Sequence, residues 1–258
     1  MGTAQVQGSL WGARVRDYAS FGETQFRPVY ETVFGVAGVG VGTRLLDVGC
    51  GPGLATQIAA QRGARVAGLD AAEASLTIAR ERTPDGDFRV GDMEELPWPN
   101  DTFDVVTGFN SFFFAADVVN ALREARRVAK PGGQVVMLVW GREEDCQTMA
   151  TVSAVAKLLP PPPRSDAPPL STAGRVESLM ESAGLTPLTS DEVDCVFEFP
   201  NLETALRGLT SAGVMVAAAQ RVGDDLVRQV VADTIAACRT DTGGYRQRNR
   251  YRYVVASA

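Results

Sequence analysis

The chain has 258 residues and a mass of 27.5 kDa, enough for one large domain with a substantial core and an appended cap. Its net charge of −6 and pI near 4.9 argue against generic binding to nucleic acid or to anionic membranes, which requires a basic face. It contains no histidine, so Ser–His–Asp triads, His–carboxylate dyads and histidine-ligated metal sites are all excluded.

Residues 9–21 carry Leu10, Trp11, Val15, Tyr18 and Phe21 near helical spacing, and this predicts a short amphipathic helix. A second helix is expected to begin around Thr24–Pro28, where proline is tolerated in a first turn, and to carry Phe26, Tyr30, Val33 and Phe34. These aromatics either pack onto the domain or make residues 1–42 a helical flap over a ligand. Regular alternation follows: strand 43–48, helix 54–62, strand 64–70, helix 73–83, strand 87–91, strand 103–109, helix 116–129, a turn at Lys130–Gly133 and strand 133–140. Short apolar strands interleaved with amphipathic helices define an α/β fold, a doubly wound and mostly parallel sheet covered on both faces. Ligands in such sheets bind outside the carboxyl ends of the strands.

Segment 142–170 breaks the rhythm with Pro160–Pro163 and Pro168-Pro169, which should be extended and stiff. It is expected to be a gate over the site mouth, the alternative being a partner-docking proline motif. A helix near 172–183 and a strand at 192–199 follow. Residues 201–239 have nearly continuous helical periodicity, giving a helical cap over 201–240 inserted before a last strand, 245–255. No apolar run reaches the ~18 residues of a membrane span. No secretory signal pattern is seen, and Cys50, Cys146, Cys195 and Cys238 are scattered. Together these predict reduced thiols and a cytoplasmic location.

The most informative stretch is Asp47-Val48-Gly49-Cys50-Gly51-Pro52-Gly53, where an apolar run ends on an acid and then meets glycine at every second position. This suits a tight strand-to-helix turn that a ligand approaches closely. Asp70 follows Gly49 by 21 residues at the end of the next apolar run, a placement for a carboxylate gripping a ribose diol. A dinucleotide fingerprint would place its third glycine where Leu54 stands, and Asp47 would repel a pyrophosphate. An amino-acid-bearing nucleoside, which offers an ammonium to Asp47, fits better.

On these residues the chain resembles the class I S-adenosylmethionine-dependent methyltransferases, well over 43–141 and in outline beyond. The resemblance implies seven strands, the last antiparallel and inserted beside the sixth. It implies that Asp47, Gly49, Cys50 and Gly51 hold the methionine part of S-adenosylmethionine. Asp70 and Ala71 would hold the ribose, Asp92, Met93 and Glu94 would bracket the adenine, and Phe109 and Asn110 would run beside the transferable methyl. Asp104, at the opposite end of its strand, reads as structural. Asn110 is the candidate for orienting cofactor or acceptor. Glu143, Asp145, Tyr18 and Tyr245 are the candidate bases, and Trp11, Tyr18, Phe113, Trp140 and Tyr245 the candidate acceptor wall.

The expected activity is metal-independent methyl transfer to a small, apolar or aromatic acceptor by in-line displacement, in a monomer or homodimer. The alternatives are a protein that binds the cofactor without methylating, as a cyclisation scaffold or regulator, and a nicotinamide-dependent oxidoreductase. Leu54 and Asp47 count against the latter.

Overall fold

The computed structural model describes residues 3–161 and 167–258. The amino-terminal segment folds as α1 (Ala4–Gly12), a three-residue α2 (Val15–Asp17), a π-turn over Tyr18–Gly22, a 3-10 turn over Glu23–Phe26 and α3 (Arg27–Val36), with Pro28 in the first turn of α3. The single helix expected over 9–21 is therefore three short pieces. The alternating core then runs β1 (Arg44–Val48), α4 (Leu54–Gln61), β2 (Arg65–Asp70), α5 (Glu73–Arg82), β3 (Asp87–Val90), β4 (Phe103–Phe109), α6 (Val118–Val128) and β5 (Ala129–Trp140). The carboxyl-terminal part contributes α7 (Gln147–Ala156), α8 (Arg175–Ser182), β6 (Thr186–Phe199), α9 (Leu202–Leu209), α10 (Gly213–Val222), α11 (Asp224–Ile235) and β7 (Tyr245–Ser257).

The seven strands form one sheet in the order β3-β2-β1-β4-β5-β7-β6. β3 to β5 pair in parallel, and β7 lies antiparallel between β5 and β6. The anticipated turn at Lys130–Gly133 is a bulge in the β4–β5 ladder, where Phe103 faces Ala129 and Val105 faces Gln134. β6 begins six residues before the expected strand, because its first half pairs with the end of β7.

One apolar layer joins the sheet to α3, α4, α7 and the α9–α11 cap through Val33, Phe34, Ile58, Val155, Leu206 and Val231. The opposite layer joins it to α6 and α8 through Leu122, Val128, Val176 and Met180. In the segment expected to be a proline gate, residues 147–156 are helical, and α7 buries Thr148, Thr151 and Val155. Its threonines and valines have weak helix propensity, so tertiary packing decides the outcome. Residues 162–166 of the proline-rich run lie outside the described residues. No helix among the described residues is long and apolar enough to cross a membrane.

Candidate active site

The carboxyl ends of β1, β2, β4 and β5 open into a cavity of about 360 Å³. A wider cleft of about 810 Å³ lies at the other rim, near Arg44, Arg65, Asp87 and Phe103 at the strands' amino ends. Ligands of open parallel sheets bind at the carboxyl ends, so the smaller cavity is the candidate site.

Its floor is the turn after β1. Gly49 and Gly51 adopt φ of +74° and +53°, a conformation that L side chains rarely take. A Cβ on Gly49 would come within 2.4 Å of the Ser111 side chain, and one on Gly51 would fill the space beneath the Tyr18 ring. The turn is tied down by Asp70, whose two carboxylate oxygens accept from the Gly51 and Ala72 N–H groups, each at 2.8 Å. Asp70 and Ala71 line the cavity, as do Met93, Phe109 and Asn110. Asn110 takes a left-handed φ of +52° at the end of β4, and its amide oxygen is buried without a partner. Strained backbone and an orphaned acceptor at a strand end are marks of a ligand-binding position. The cradle and the orphaned oxygen fit a bound nucleoside-amino acid.

Asp47 does not reach the cavity surface. It is buried beneath the turn, accepts from the Thr107 hydroxyl at 2.7 Å, and burial pushes its carboxyl up to about 8. Glu23 and Asp70 add to that rise. Glu23 caps α4 by accepting from the Leu54 N–H at 2.9 Å and is ion-paired to Arg82. Arg82 also donates to the carbonyls of Pro52 and Ala19, at 2.9 and 3.0 Å, and so clamps the amino-terminal segment onto the glycine turn. Glu23, Asp47 and Asp70 thus cluster at the turn with a single guanidinium, that of Arg82, among them. Nothing in the local sequence singles out the Glu23–Arg82 pair, whose members are 59 residues apart.

The roof joins the two ends of the chain. Gln7, Trp11, Tyr18, Phe26 and Tyr30 come from the amino-terminal helices, and Leu209, Ala212 and Met215 from the cap. Arg14 pairs with Asp224, and Arg207 pairs with Asp17 at 2.6 Å while lying 4.6 Å from the Phe21 ring centre. The three phenylalanines after β4 form a 3-10 turn. Phe112 is core, and Phe113 and Phe114 face the cavity. Trp140 from β5, Thr148, Met149 and Val152 from α7, and Phe197 and Phe199 from β6 complete the wall. Met149 and Val152 belong to the helix that the proline-rich reading missed.

Several expected site residues lie off this wall. Cys50 packs with Leu76, Ala79 and Phe88 behind the turn. Asp92 caps its own turn at the Glu94 N–H, 3.0 Å away, and the Glu94 carboxylate accepts from the Ala116 N–H at 2.7 Å. Glu143 accepts from Ser153 at 2.8 Å and Asp145 pairs with Arg142 at 3.1 Å, both in a solvent-facing 3-10 turn. Tyr245 opens β7 opposite Phe199 and packs against the core beneath the cap. Asp104 accepts from the Arg44 N–H at 2.8 Å and pairs with Lys130, at the far end of β4.

A methyltransferase-domain family profile matches residues 46–137, which span the glycine turn, Asp70, Met93 and Asn110. The chain is 31% identical over 209 residues to a malonyl-[acyl-carrier protein] O-methyltransferase of Erwinia pyrifoliae, covering 81% of this chain and 76% of that one. It therefore belongs to the class I S-adenosylmethionine-dependent methyltransferases, and its cofactor is S-adenosylmethionine. Among particular relatives, a ubiquinone biosynthesis O-methyltransferase of Pseudomonas aeruginosa is 32% identical over 153 residues, 54% of this chain and 65% of that protein. The chain thus spans less than two thirds of that relative. The protein solved with the Haloferax volcanii Trm112 methyltransferase activator shares the fold at a TM-score of 0.62 and 21% identity, covering 99% of this chain and 97% of that one. Family membership decides against the nicotinamide-dependent oxidoreductase.

Asp70→Ala is expected to weaken S-adenosylmethionine binding by about 1–3 kcal/mol in calorimetry, because buried donors lose a charged acceptor. Asp70→Asn, which keeps one acceptor oxygen, should fall between that variant and the wild type.

Proposed function

We propose that the enzyme methylates an oxygen on a small acceptor with an apolar or aromatic body, one that ionises readily or arrives ionised. The observation carrying this reading is the continuity of one cavity. Gly49, Gly51, Asp70 and Met93 stand on one side, and Phe26, Met149, Trp140, Phe197 and Met215 on the other.

When bound, S-adenosylmethionine supplies an electrophilic methyl on a sulfonium. Gly49 and Gly51 let the backbone approach the cofactor, while Asp70 and Ala71 hold its ribose. Met93 packs against the adenine, and Asn110 orients the reacting groups with its unpaired amide oxygen. The aromatic wall and the clamped roof exclude water, which favours an in-line displacement in which charge is dispersed.

Deprotonating power is scarce in this cavity. Burial pushes the Tyr18 phenol far above its ordinary range, with Glu23 and Asp70 adding to the rise. Tyr30 is raised for the same first reason. Both are hydroxyl donors at neutral pH, and the Asp70 carboxylate, which also accepts from two backbone N–H groups, is assigned to the ribose. An acidic phenol or enol needs no base, and this is the acceptor chemistry the site suits. The flap over 1–42 and the cap over 201–240 then act as a roof that parts to admit cofactor and acceptor.

The test is incubation with methyl-labelled cofactor and panels of phenols, enols and aliphatic alcohols. Label in the acidic oxygen compounds is expected, and transfer confined to amines would overturn the reading. Asn110→Gly provides a second check, since glycine keeps the left-handed backbone and removes only the amide. Turnover should fall about tenfold or more with cofactor affinity nearly unchanged. An equal loss in both would remove Asn110 from the methyl end.

A further inference from the structure

Behind Thr148, where α7 meets β7, lies a buried polar cluster that the cofactor does not explain. Gln247 and Asn249 are 1% and 2% exposed, on the face of β7 that carries Tyr251 toward the cavity-lining Trp140, 4.6 Å away ring to ring. Gln247 faces Phe197, another lining residue, across the β6–β7 ladder. Thr148 itself lines the cavity and engages both amides by their oxygens. Its N–H donates to Asn249 Oδ1 at 3.0 Å, and its hydroxyl donates to Gln247 Oε1 at 3.3 Å. The backbone donor fixes which way the Asn249 amide points, since an N–H cannot bond the amide nitrogen. Both NH2 groups, Gln247 Nε2 and Asn249 Nδ2, are left buried without a partner. Thr151 Oγ1, one helical turn from Thr148, and the Tyr251 hydroxyl are unpaired as well.

Unpaired buried donors are costly, and native proteins rarely keep several together without something that accepts from them. The need here is for an acceptor oxygen. No lysine or arginine is among the described residues lining the cavity. A carboxylate would therefore be desolvated with no cation to pair it, whereas a neutral carbonyl incurs no such cost.

Resting on the proposed methylation of a small oxygen acceptor, we propose that Gln247 and Asn249 are specificity residues that donate hydrogen bonds to a neutral carbonyl oxygen. That oxygen is carried by the acceptor's ring system, apart from the oxygen that is methylated. Thr148, the member of the cluster that lines the cavity, is their positioning residue: it engages both amide oxygens and leaves both NH2 groups free to donate. The substrate class is then a hydroxylated, carbonyl-bearing apolar ring.

A matched pair of probes tests this: para-hydroxyacetophenone and para-ethylphenol, which differ by a carbonyl against a methylene. Binding is read from quenching of tryptophan fluorescence, with S-adenosylhomocysteine saturating. The wild type is expected to bind the ketone about tenfold more tightly, the margin of one buried hydrogen bond made against one left unmade. Gln247→Leu and Asn249→Leu should each bring the ratio toward one while leaving S-adenosylhomocysteine affinity unchanged. Thr148→Val, nearly the same shape, should lower it too and serves if a leucine variant does not fold. Absence of preference in the wild type, or a ratio that survives in the variants, would overturn the inference and assign the cluster to buried solvent. If the ketone is preferred but labelled methyl reaches neither phenol, the proposed transfer fails while the recognition stands.

Discussion

Replacing Arg82 with methionine is expected to lower stability to denaturant by about 3–5 kcal/mol, the range for breaking a buried pair by removing one partner. Glu23 would keep its bond to the Leu54 N–H but face the interior as an uncompensated carboxylate, only 3% exposed at its side chain. The carbonyls of Pro52 and Ala19 would also lose their donor. Burial already pushes the Glu23 carboxyl up, against the opposing pull of Arg82. The loss should therefore grow as pH rises and the orphaned carboxyl ionises, and shrink in acid, where it stays protonated. Glu23→Gln combined with Arg82→Met should recover most of the deficit, since no charge is then left buried. Urea unfolding of the four proteins in a double-mutant cycle measures this coupling. A cycle that closes additively would show that the two residues act separately.

The second large effect is a dependence of stability on pH that Asp47 imposes. Its folded-state pKa, about 8, lies above the ordinary value of 3.8. The folded state thus holds a proton that the unfolded chain releases. The stabilisation is fully present below about pH 4 and declines as pH rises, until it is gone above about pH 8. At ~1.4 kcal/mol per pK unit, the whole span is on the order of 5 kcal/mol. Asp47→Asn keeps an acceptor for the Thr107 hydroxyl and cannot ionise. Glu23 and Asp70 titrate in both proteins, so the quantity to measure is the wild-type unfolding free energy minus that of Asp47→Asn between pH 5 and 8. It should fall steadily with pH, and a constant difference would mean that Asp47 is ionised throughout.

Much of the architecture is legible because the polypeptide punctuates it strongly. β1, α4, β2, α5 and β4 begin and end within about two residues of their expected places. Glycines 49–53 fix the first turn, and apolar runs buried on both faces admit no other period. Asp70, Met93 and Asn110, picked by counting from strand ends, line the cavity, which opens at those ends. The same counting misplaces Glu143 and Asp145. They follow β5 as Asn110 follows β4, but Arg142 and Ser153 hold them in a turn facing solvent. Asp92 and Glu94 flank Met93 without lining the cavity, and one carboxylate oxygen of each accepts from a nearby backbone N–H. The Glu23–Arg82 clamp and the Thr148–Gln247–Asn249 cluster are built across 59 and about 100 residues. Each member alone is an ordinary polar residue on a helix or strand, and only the packed fold gives it a partner.

The insertion of β7 between β5 and β6 also constrains the order of assembly. β6 emerges from the ribosome first, but its place in the sheet lies beyond a neighbour still to be synthesised. Until Tyr245–Ser257 arrives, the hydrogen-bonding edge of β5 stays open while the glycine turn is already complete. A nascent chain carrying the full cofactor signature therefore still presents an unpaired strand, which makes that interval the one in which chaperone capture or intermolecular pairing competes with closure.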